Sequence, residues 1–266
     1  MYQWNHGLNE YFKGKSDDDI QRLYGTFPSV DQSPSLPVQS AKSLMLLPRN
    51  FDSREKWPYC KSMRQIRDQS SCGSCWAVSS ASVMSDRECT ASSGRLQPYL
   101  SDEYINACCP GCFGCRGGWP ELAFRFWVKN GVPTGGPYGS VDSCQPYSIQ
   151  CKNCVVKTPR CEQHCIPTYA IPLTTDKYYG ESAYIVRGGI PAYMEEIFKN
   201  GPVVASFKTY EDIHYYKSGV YQHLWGKRRG AHAVRVIGWG IEDGVPYWLV
   251  TNSWNTTWGE KGTFKN

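Results

Sequence analysis

Two cysteines lie three residues apart in the stretch QSSCGSCWAV, which spans residues 69–78 and contains Cys72 and Cys75. Cysteines at this spacing can form a disulfide, provide half of a metal site, act as a redox pair, or include one nucleophilic thiol. A thioredoxin-type redox pair follows a strand of a βαβ unit, and the preceding residues MRQIRDQSS are not typical of a strand. The choice among the other possibilities depends on the remaining cysteines and histidines.

The cysteine count favours disulfides over a metal site. The chain has 13 cysteines, all between positions 60 and 165. This density indicates an oxidising compartment, and the odd number leaves one thiol unpaired. Cys151, Cys154, Cys161 and Cys165, together with His164, imitate the ligand spacing of a zinc site. Six disulfides and one free thiol account for the count better, so we predict no metal and no other cofactor.

Cys75 has the sequence context of a reactive thiol. Ala77, Ala81 and Met84 follow it at helical spacing, which predicts that a helix begins near the cysteine. The positive end of a helix stabilises a thiolate. A nucleophilic thiolate also needs a nearby imidazole, and the imidazole needs a group that orients it.

His232 is the histidine that best fits this role. It opens an apolar run between Ala231 and Ala233, where a charge is costly unless it is used. Asn252 closes another strand-like run 20 residues later, and its side chain can hold one ring nitrogen and leave the other for sulfur. The remaining histidines stand in the N-terminal segment, the cysteine-rich loop, a polar segment and the end of a short strand-like run: His6, His164, His214 and His223.

The segments around these side chains predict an α+β fold. Helices are indicated at residues 121–129 and 190–197, and strands at 202–207, 232–239 and 245–252. Turns and loops rich in cysteine occupy 108–118 and 144–172. A helical, disulfide-linked half is therefore followed by a β half.

The first 27 residues look like a separate small unit. Ser16 is predicted to cap a helix that has three aspartates, at 17–19, in its first turn. Apolar residues then recur on one helical face, at Ile20, Leu23, Tyr24 and Phe27. Residues 28–46 contain three prolines among serines and predict an extended linker.

Composition excludes several classes of protein. The 266 residues carry a formal net charge of +5, and the densest basic cluster, Lys227, Arg228 and Arg229, is too short for a nucleic-acid-binding tract. We expect that cluster to be a solvated loop. No apolar run reaches the roughly 18 residues of a membrane-spanning helix, and no signal peptide is visible.

The stretch CGSCW, at residues 72–76, resembles the active-site signature of the papain-like cysteine proteases. A closer resemblance, to the cathepsin B-like members, includes IRDQSSCGSCW, SDREC, FGCRGGWP, CQPYSI, KNGPV, YKSGVYQH and PYWLVTNSWNTTWGEKGTF. It implies a papain-like two-lobed fold, with a helical, disulfide-rich left lobe, a β-barrel-like right lobe and the active site between them. It also implies a propeptide at residues 1–46 and a peptidase domain at 47–266.

The resemblance implies a role for each matching catalytic residue. Cys75 would be the nucleophile, His232 the base and then the acid, and Asn252 the group that orients the imidazole. Gln69 would donate its side-chain amide to the oxyanion of the tetrahedral intermediate, beside the backbone N–H of Cys75.

Supporting residues follow from the same resemblance. Gly117 and Gly118 would let an extended substrate backbone pair with the cleft wall, and Trp254 is either a shield for the Asn252–His232 contact or a core residue. Asn255 begins the only glycosylation sequon. The implied disulfides are Cys60–Cys89, Cys72–Cys115, Cys108–Cys161, Cys109–Cys112, Cys144–Cys165 and Cys151–Cys154.

One loop departs from the cathepsin B-like pattern. Members of that group carry adjacent histidines there, which hold the C-terminal carboxylate of a substrate. In this chain Cys151 and Cys154 would close a ring of four residues, and no pair of adjacent histidines exists. Lys152, Lys157 and Arg160 would replace those cations with lower specificity. We therefore predict a cysteine endopeptidase, made as a zymogen, with weak or absent peptidyl-dipeptidase activity.

Further expectations concern partners and context. We expect peptide and protein substrates, cystatin-like protein inhibitors and the chain's own propeptide as partners, without nucleic acid or a membrane span, and a monomer. The expected location is the lysosome or another acidic endocytic compartment, or outside the cell. Protonation of residues 17–19 is expected to release the propeptide in acid. The sequence ends before the family pattern does, so we expect a truncated C-terminus. The alternative is a catalytically silent papain-like binding or matrix protein.

Overall fold

The computed structural model describes residues 4–27, 36–40, 46–151 and 153–266. Its α-helices are α1 (Asp17–Gln21), α2 (Ser53–Lys56), α3 (Cys75–Ala91), α4 (Asp102–Cys108), α5 (Pro120–Asn130), α6 (Leu173–Asp176) and α7 (Gly189–Asn200). Its strands are β1 (Trp4–His6), β2 (Val38–Ser40), β3 (Phe51–Asp52), β4 (Ile185–Arg187), β5 (Val203–Tyr210), β6 (Tyr216–Gly219), β7 (Arg228–Glu242), β8 (Val245–Thr251) and β9 (Thr263–Lys265). Short 3₁₀-helices lie at Glu10–Phe12, Lys61–Arg64, Gly114–Arg116 and Glu211–Tyr215.

Helix α3 is the centre of the helical half. It begins at Cys75, as the spacing of apolar residues predicted, and is buried over most of its 17 residues. Because it is covered on nearly all sides, small side chains are needed, and its serines donate back to carbonyls one turn earlier, for example Ser79 to Cys75 at 2.7 Å. Its apolar side chains join α4 and α5 in one core that includes Trp76, Ile105 and Trp127.

The β half is built on the long strand β7. Strand β5 pairs antiparallel with the first part of β7, β3 pairs with residues near its end, and β8 and then β9 lie on the other edge. This five-stranded sheet curls around a second core that includes Ile213, Val236 and Trp258. The predicted α+β organisation is confirmed, and the strands expected at 202–207, 232–239 and 245–252 are β5, β7 and β8.

The N-terminal unit differs from the sequence prediction in the length of its helix. Ser16 and Asp19 form the capping box that starts α1, but the helix ends at Gln21. Leu23 and Tyr24 lie beyond it, although their spacing fits a helical face. The reason is that the following backbone takes its hydrogen bonds from the protein surface, where Gly118 donates to Gly25 and accepts from Phe27. Tertiary contacts thus override a helical pattern.

Part of the predicted linker at 28–46 lies outside the described residues. In residues 36–40, a described part of this segment, strand β2 pairs in parallel with β4. None of the helices in the described part of the chain combines the length and the apolar composition that crossing a membrane requires.

Five of the six expected cysteine pairs are bonded in the structure: Cys60–Cys89, Cys72–Cys115, Cys108–Cys161, Cys144–Cys165 and Cys151–Cys154. These bonds use every cysteine of the zinc-like set, which removes that alternative. The exception is Cys109 and Cys112, whose sulfur atoms lie 2.9 Å apart in hydrogen-bond contact and are not bonded. A turn through Gly111 brings the two thiols together without the further approach, to about 2 Å, that a bond requires. The Cys109–Cys112 disulfide stays a prediction.

Candidate active site

Cys75 is the first residue of α3 and is fully buried. A helix of this length directs unpaired backbone N–H groups and the positive end of its dipole at its first residues, which favours a thiolate there. Cys72 is bonded to Cys115 and cannot react. The two cysteines of the CGSCW stretch therefore have different fates, one structural and one chemically available.

His232 and Asn252 come from strands that neighbour each other in the sheet. His232 lies in β7, opposite Phe207 of β5, and Asn252 directly follows β8. The amide oxygen of Asn252 lies 2.8 Å from Nε2 of His232, and both side chains are buried. Because that oxygen can only accept, Nε2 carries the proton. The other ring nitrogen, Nδ1, is buried and has no hydrogen-bond partner among the residues that the structure describes, so it is available to the thiol.

Opposing influences set the pKa of Cys75. Burial raises it, since the ionised sulfur loses water. The charge and side chain of His232 lower it, with smaller contributions from the backbone N–H of Ala233 and the hydroxyl of Thr26. The result is a pKa lowered to about 7. The arrangement of thiol, imidazole and amide is one that activates a sulfur nucleophile.

Gln69 lies fully buried beside Cys72 and Ser253. Its side-chain oxygen accepts from the hydroxyl of Ser253 at 2.6 Å, which fixes the amide so that its nitrogen faces the cleft. That nitrogen donates to the carbonyl oxygens of Cys72 and Leu23, at 2.8 and 2.9 Å. Ser253 follows Asn252 directly, so one turn orients both the imidazole and the predicted oxyanion donor. The sequence reasoning missed Ser253, although its adjacency to Asn252 was the available signal.

Trp254 covers the His232–Asn252 contact. Its ring lies 4.7 Å from the imidazole of His232, between centroids, and is fully buried in the core of the β half. The shield and core interpretations from the sequence therefore describe the same side chain. Exclusion of water from a hydrogen bond strengthens its electrostatic part.

Gly117 and Gly118 form the opposite wall of the cleft. Gly117 has φ +118°, a conformation that favours glycine, and a Cβ on Gly118 would lie 2.6 Å from the ring of Trp76. The backbone of Gly118 is thus open to pairing with another chain segment. In this structure the segment is the leader (residues 4–27), with Gly118 N–H donating to Gly25 at 2.8 Å and Phe27 N–H donating to Gly118 at 3.1 Å.

The leader passes directly over the reactive atoms. The hydroxyl of Thr26 lies 3.1 Å from the sulfur of Cys75. Gly25 packs so closely on Gly73 that a Cβ there would lie 1.6 Å from its carbonyl oxygen. The carbonyl oxygen of Leu23 accepts a hydrogen bond from the side-chain nitrogen of Gln69, as described above. None of these leader contacts was visible in the sequence, because each depends on where the leader docks.

Two further residues, Asn255 and His214, lie around this centre. The predicted glycosylation residue Asn255 lies in a turn, with its amide donating to Asp68 at 3.0 Å, and the modification stays a prediction. His214, which the sequence placed in a polar segment, is buried, and its Nε2 contacts the hydroxyl of Tyr24 from the leader. This second histidine near the site gave no local sequence signal.

The sequence and the structure both match known proteases. The model of the papain family cysteine proteases matches residues 47–266. The chain is 45% identical over 275 residues to a cathepsin B-like cysteine proteinase of Schistosoma japonicum, covering 98% of this chain and 78% of that protein. It is 46% identical over 234 residues to cathepsin B-like cysteine proteinase 6 of Caenorhabditis elegans, covering 82% of this chain and 62% of that relative's length.

A solved structure of procathepsin B S9 from Trypanosoma congolense superimposes with a TM-score of 0.87 at 39% identity, covering 99% of this chain and 87% of that one. The agreement includes the leader, because almost the whole chain is aligned. Together with the assembled cysteine, histidine and asparagine, these similarities establish the fold expected from the sequence. The chain belongs to the papain family of cysteine proteases and, within it, to the cathepsin B-like proteinases.

Proposed function

We propose that this chain is the zymogen of a cysteine endopeptidase that hydrolyses peptide bonds through a thioester. The observation that carries the proposal is the buried arrangement in which Asn252 orients His232 and His232 lowers the pKa of the Cys75 thiol. The same three residues stand where the sequence predicted a nucleophile, a base and an orienting group.

The chemistry follows from the positions of these groups. The thiol of Cys75 gives its proton to Nδ1 of His232, the sulfur attacks the carbonyl carbon, and the electron pair of the carbonyl bond moves to oxygen. Gln69 and the backbone N–H of Cys75 stabilise this oxyanion. The carbon–nitrogen bond then breaks, and His232 gives its proton to the leaving amine. Water, losing a proton to His232, hydrolyses the thioester and releases the acid and the free thiol.

The leader keeps this machinery closed in the zymogen. In the proposal residues 1–46 are the propeptide and residues 47–266 the peptidase domain. Leu23 takes the donor of Gln69 and Thr26 covers the sulfur, so a substrate carbonyl cannot reach either group. Cleavage near residues 40–47 followed by release of the leader would open the cleft.

The short ring closed by Cys151 and Cys154 supports endopeptidase rather than peptidyl-dipeptidase activity. His164 is the histidine of this loop, and its side chain is largely exposed and contacts Glu162. Arg160 is 90% exposed. A mobile, hydrated cation gives little specificity for a terminal carboxylate, so internal bonds are the proposed substrates and dipeptide release is weak or absent.

We also infer cystatin-like protein inhibitors as partners and a monomeric enzyme, because the proposed cleft accepts a chain segment without a second subunit. Five disulfides support an oxidising location, either an acidic endocytic compartment such as the lysosome or the exterior of the cell. No comparison supports the alternative of a silent binding module, which would be expected to lack the nucleophile.

Active-site labelling tests the proposal. Acid-treated, non-reduced protein is treated with a peptidyl epoxide and mapped by mass spectrometry, and the products formed from a long unlabelled peptide are identified in parallel. We expect one label, on Cys75, and internal fragments rather than successive C-terminal dipeptides.

Two variants control this experiment. Cys75→Ala should lose both the label and the activity, because it removes the thiol whose pKa His232 lowers. Cys109→Ser with Cys112→Ser should keep both, since these thiols lie outside the cleft. Absence of label from Cys75 after acid treatment would contradict the protease proposal, and rapid dipeptide release would contradict its endopeptidase part.

A further inference from the structure

The basic cluster Lys227, Arg228 and Arg229 is not the solvated loop that the sequence suggested. Arg228 and Arg229 open β7, three to four residues before His232. The side chain of Lys227 is 71% exposed, whereas that of Arg229 is only 10% exposed. An arginine with so little exposure is held by specific partners.

Those partners are carboxylates. The guanidinium of Arg229 binds Asp17 of the leader in a two-pronged contact, with Nη1 at 2.7 Å from one carboxylate oxygen and Nη2 on the other. Nη2 also lies 2.8 Å from Glu211. The third donor, Nε, is buried without a hydrogen-bond partner. Paired contacts of this kind select planar carboxylates with defined geometry.

The path of the leader shows on which side of the Cys75 sulfur Arg229 lies. Thr26 marks the sulfur, and Phe27 continues along the Gly118 wall. On the other side, Tyr24 packs against β7, where a Cβ on Gly230 would lie 2.8 Å from the Tyr24 Cβ. Gln21 donates to the carbonyl of Arg229 at 2.8 Å.

The chemistry assigns this side to the leaving group. The departing amine takes its proton from His232, so it must lie on the His232 side of the sulfur, along β7. The part of a substrate that follows the cleaved bond therefore runs past Gly230 towards Arg229. The Asp17 carboxylate of the leader occupies the position that a substrate side chain would reach.

Charge on this wall becomes unbalanced when the leader departs. Asp17 is removed with it, which leaves Lys227 and Arg229 facing the carboxylate of Glu211, whereas Arg228 points to the opposite face of the strand. The neighbouring Asp212 does not compensate, because it is fully buried and accepts hydrogen bonds from the segment 221–225, including the hydroxyl of Tyr221 at 2.6 Å. The N–H groups of Nη1 and Nη2 that bind Asp17 are then free to bind another carboxylate.

We propose that Arg229, with Lys227 beside it, makes the active enzyme prefer substrates that carry an acidic side chain in the segment following the cleaved bond. This specificity rests on the proposed protease function and concerns the same cleft. Arg229 acts on the substrate side chain and takes no part in bond breaking.

Matched substrates test the inference. The mature enzyme is given internally quenched peptides with amidated C-termini that differ only in Glu or Gln at the first, second or third position after the cleaved bond. At pH 6, where glutamate is ionised, we expect kcat/KM to be higher by about tenfold or more for Glu at one of these positions, as for a hydrogen bond to a charged group. The preference should shrink with added salt.

Variants locate the effect. Arg229→Gln should bring the ratio of kcat/KM for the Glu and Gln peptides close to one. Arg229→Lys keeps the charge but loses the two-pronged geometry of the guanidinium, and should give an intermediate ratio. Glu211→Gln should increase the ratio by removing the competing carboxylate. Lys129→Gln removes one exposed positive charge at the end of α5, in the helical half, and should leave the ratio as in the wild type.

The outcomes separate this inference from the protease proposal. Equal rates for Glu and Gln at all three positions, or an undiminished ratio in Arg229→Gln, would overturn the specificity while cleavage itself stands. A rate increase that depends on a free C-terminal carboxylate, and not on a Glu side chain, would also overturn it. Failure of every peptide to be cleaved, together with an unlabelled Cys75, would instead refute the protease function.

Discussion

At the scale of single residues, the reactivity of this protein depends on one sulfur whose surroundings include a removable segment. Burial raises the pKa of Cys75, and His232 and weaker hydrogen bonds lower it to about 7. Part of that burial comes from the leader, since Thr26 lies against the sulfur. The Thr26 hydroxyl also lowers the pKa slightly, but burial is the largest influence, so we expect a less ionised thiol in the zymogen than in an open cleft.

We predict that removal of the leader lowers the pKa of Cys75 below about 7, because water returns to the sulfur while His232 remains. A lower pKa means more thiolate at pH 6. The test is the rate of alkylation of Cys75 by iodoacetamide as a function of pH, measured on the mature enzyme.

Replacement of the imidazole provides the control for that measurement. His232→Ala should move the inflection of the alkylation profile upwards, towards the ordinary thiol value of about 8.5. A mature wild-type enzyme whose thiol titrates at or above that value would contradict the prediction.

At the scale of elements, the leader is the part of the molecule that the sequence described least well. The capping box of Ser16 and Asp19 is a local signal, and α1 begins where it predicts. Helices α3, α5 and α7 and strands β5, β7 and β8 were equally readable from apolar spacing and end signals. Beyond Gln21, however, the path of the leader is set by Gln69 and Gly118, which lie far away in sequence.

The proposed catalytic residues could be predicted for a related reason. Cys75 begins α3 and Asn252 directly follows β8, where sequence patterns are informative. His232 lies inside β7, which begins at Arg228 rather than at His232 as the sequence predicted, but its apolar neighbours marked it, and the surroundings of all three residues resemble a known family. His214 and Ser253 could not be assigned in this way. The role of His214 depends on burial beneath the leader, and that of Ser253 on a side-chain contact across the fold to Gln69.

His214 offers a physical basis for leader release in acid. The ring of Phe12 lies 4.8 Å from its ring, and the Tyr24 hydroxyl contacts Nε2. The pKa of His214 is lowered to about 4, chiefly by burial and to a smaller extent by the charges of Arg229 and His232, while Asp17 and Asp212 act in the opposite direction. A histidine with a depressed pKa contributes stability above its ordinary value, near 6.5, and loses it as the pH falls towards 4.

We predict that exposure of the cleft in the full zymogen increases as the pH falls from 6.5 to 4. The docked leader keeps His214 neutral, and His214 can bind a proton once the leader is released. The docking equilibrium should change by on the order of tenfold to a hundredfold between pH 6.5 and 4.5. The measurement is the rate at which a peptidyl epoxide labels Cys75 in the intact chain. In His214→Gln, which keeps a polar partner for Tyr24 but cannot be protonated, the pH dependence should be much flatter.

Asp17 supplies the matched control. Hydrogen bonding to Arg229 lowers the pKa of Asp17, and bonds from Ser16 lower that of Asp19. Their contributions are therefore lost only as the pH falls below the ordinary carboxylate value of about 4, which is lower than the sequence-based hypothesis of aspartate-triggered release requires. Asp17→Asn should loosen the leader and, because Asp17 raises the pKa of His214, should move the midpoint to lower pH without abolishing the pH dependence. A His214→Gln profile identical to wild type would contradict the histidine mechanism.

At the scale of the whole molecule, activity requires that a helix from one half and a strand from the other keep their relative position. Helix α3 carries Cys75 at its start and Asp86 three turns later, and β7 carries both His232 and Arg235. The buried ion pair between Asp86 and Arg235, 2.9 Å long, therefore joins the same two elements that bring the catalytic thiol to its imidazole.

The pair is well satisfied on both sides. Arg235 also donates to the carbonyls of Ser62 and Gln65, at 3.1 and 2.8 Å, and Asp86 accepts from the Ser62 hydroxyl at 2.6 Å. Burial raises the pKa of Asp86, and Arg235 opposes that rise. A carboxylate in this position depends on its partner, because it has no access to water.

We predict that Arg235→Leu lowers the free energy of unfolding by about 3–5 kcal/mol, since it leaves Asp86 buried and unpaired. The double variant Asp86→Leu with Arg235→Leu should be less destabilised than the single one, but should not reach wild type, because the carbonyls of Ser62 and Gln65 lose their donor. Denaturant unfolding of the non-reduced protein measures both. Arg228→Leu, at an exposed position of the same strand, should change stability by less than about 0.5 kcal/mol. A single variant within about 1 kcal/mol of wild type would show that the ion pair does not fix α3 on β7.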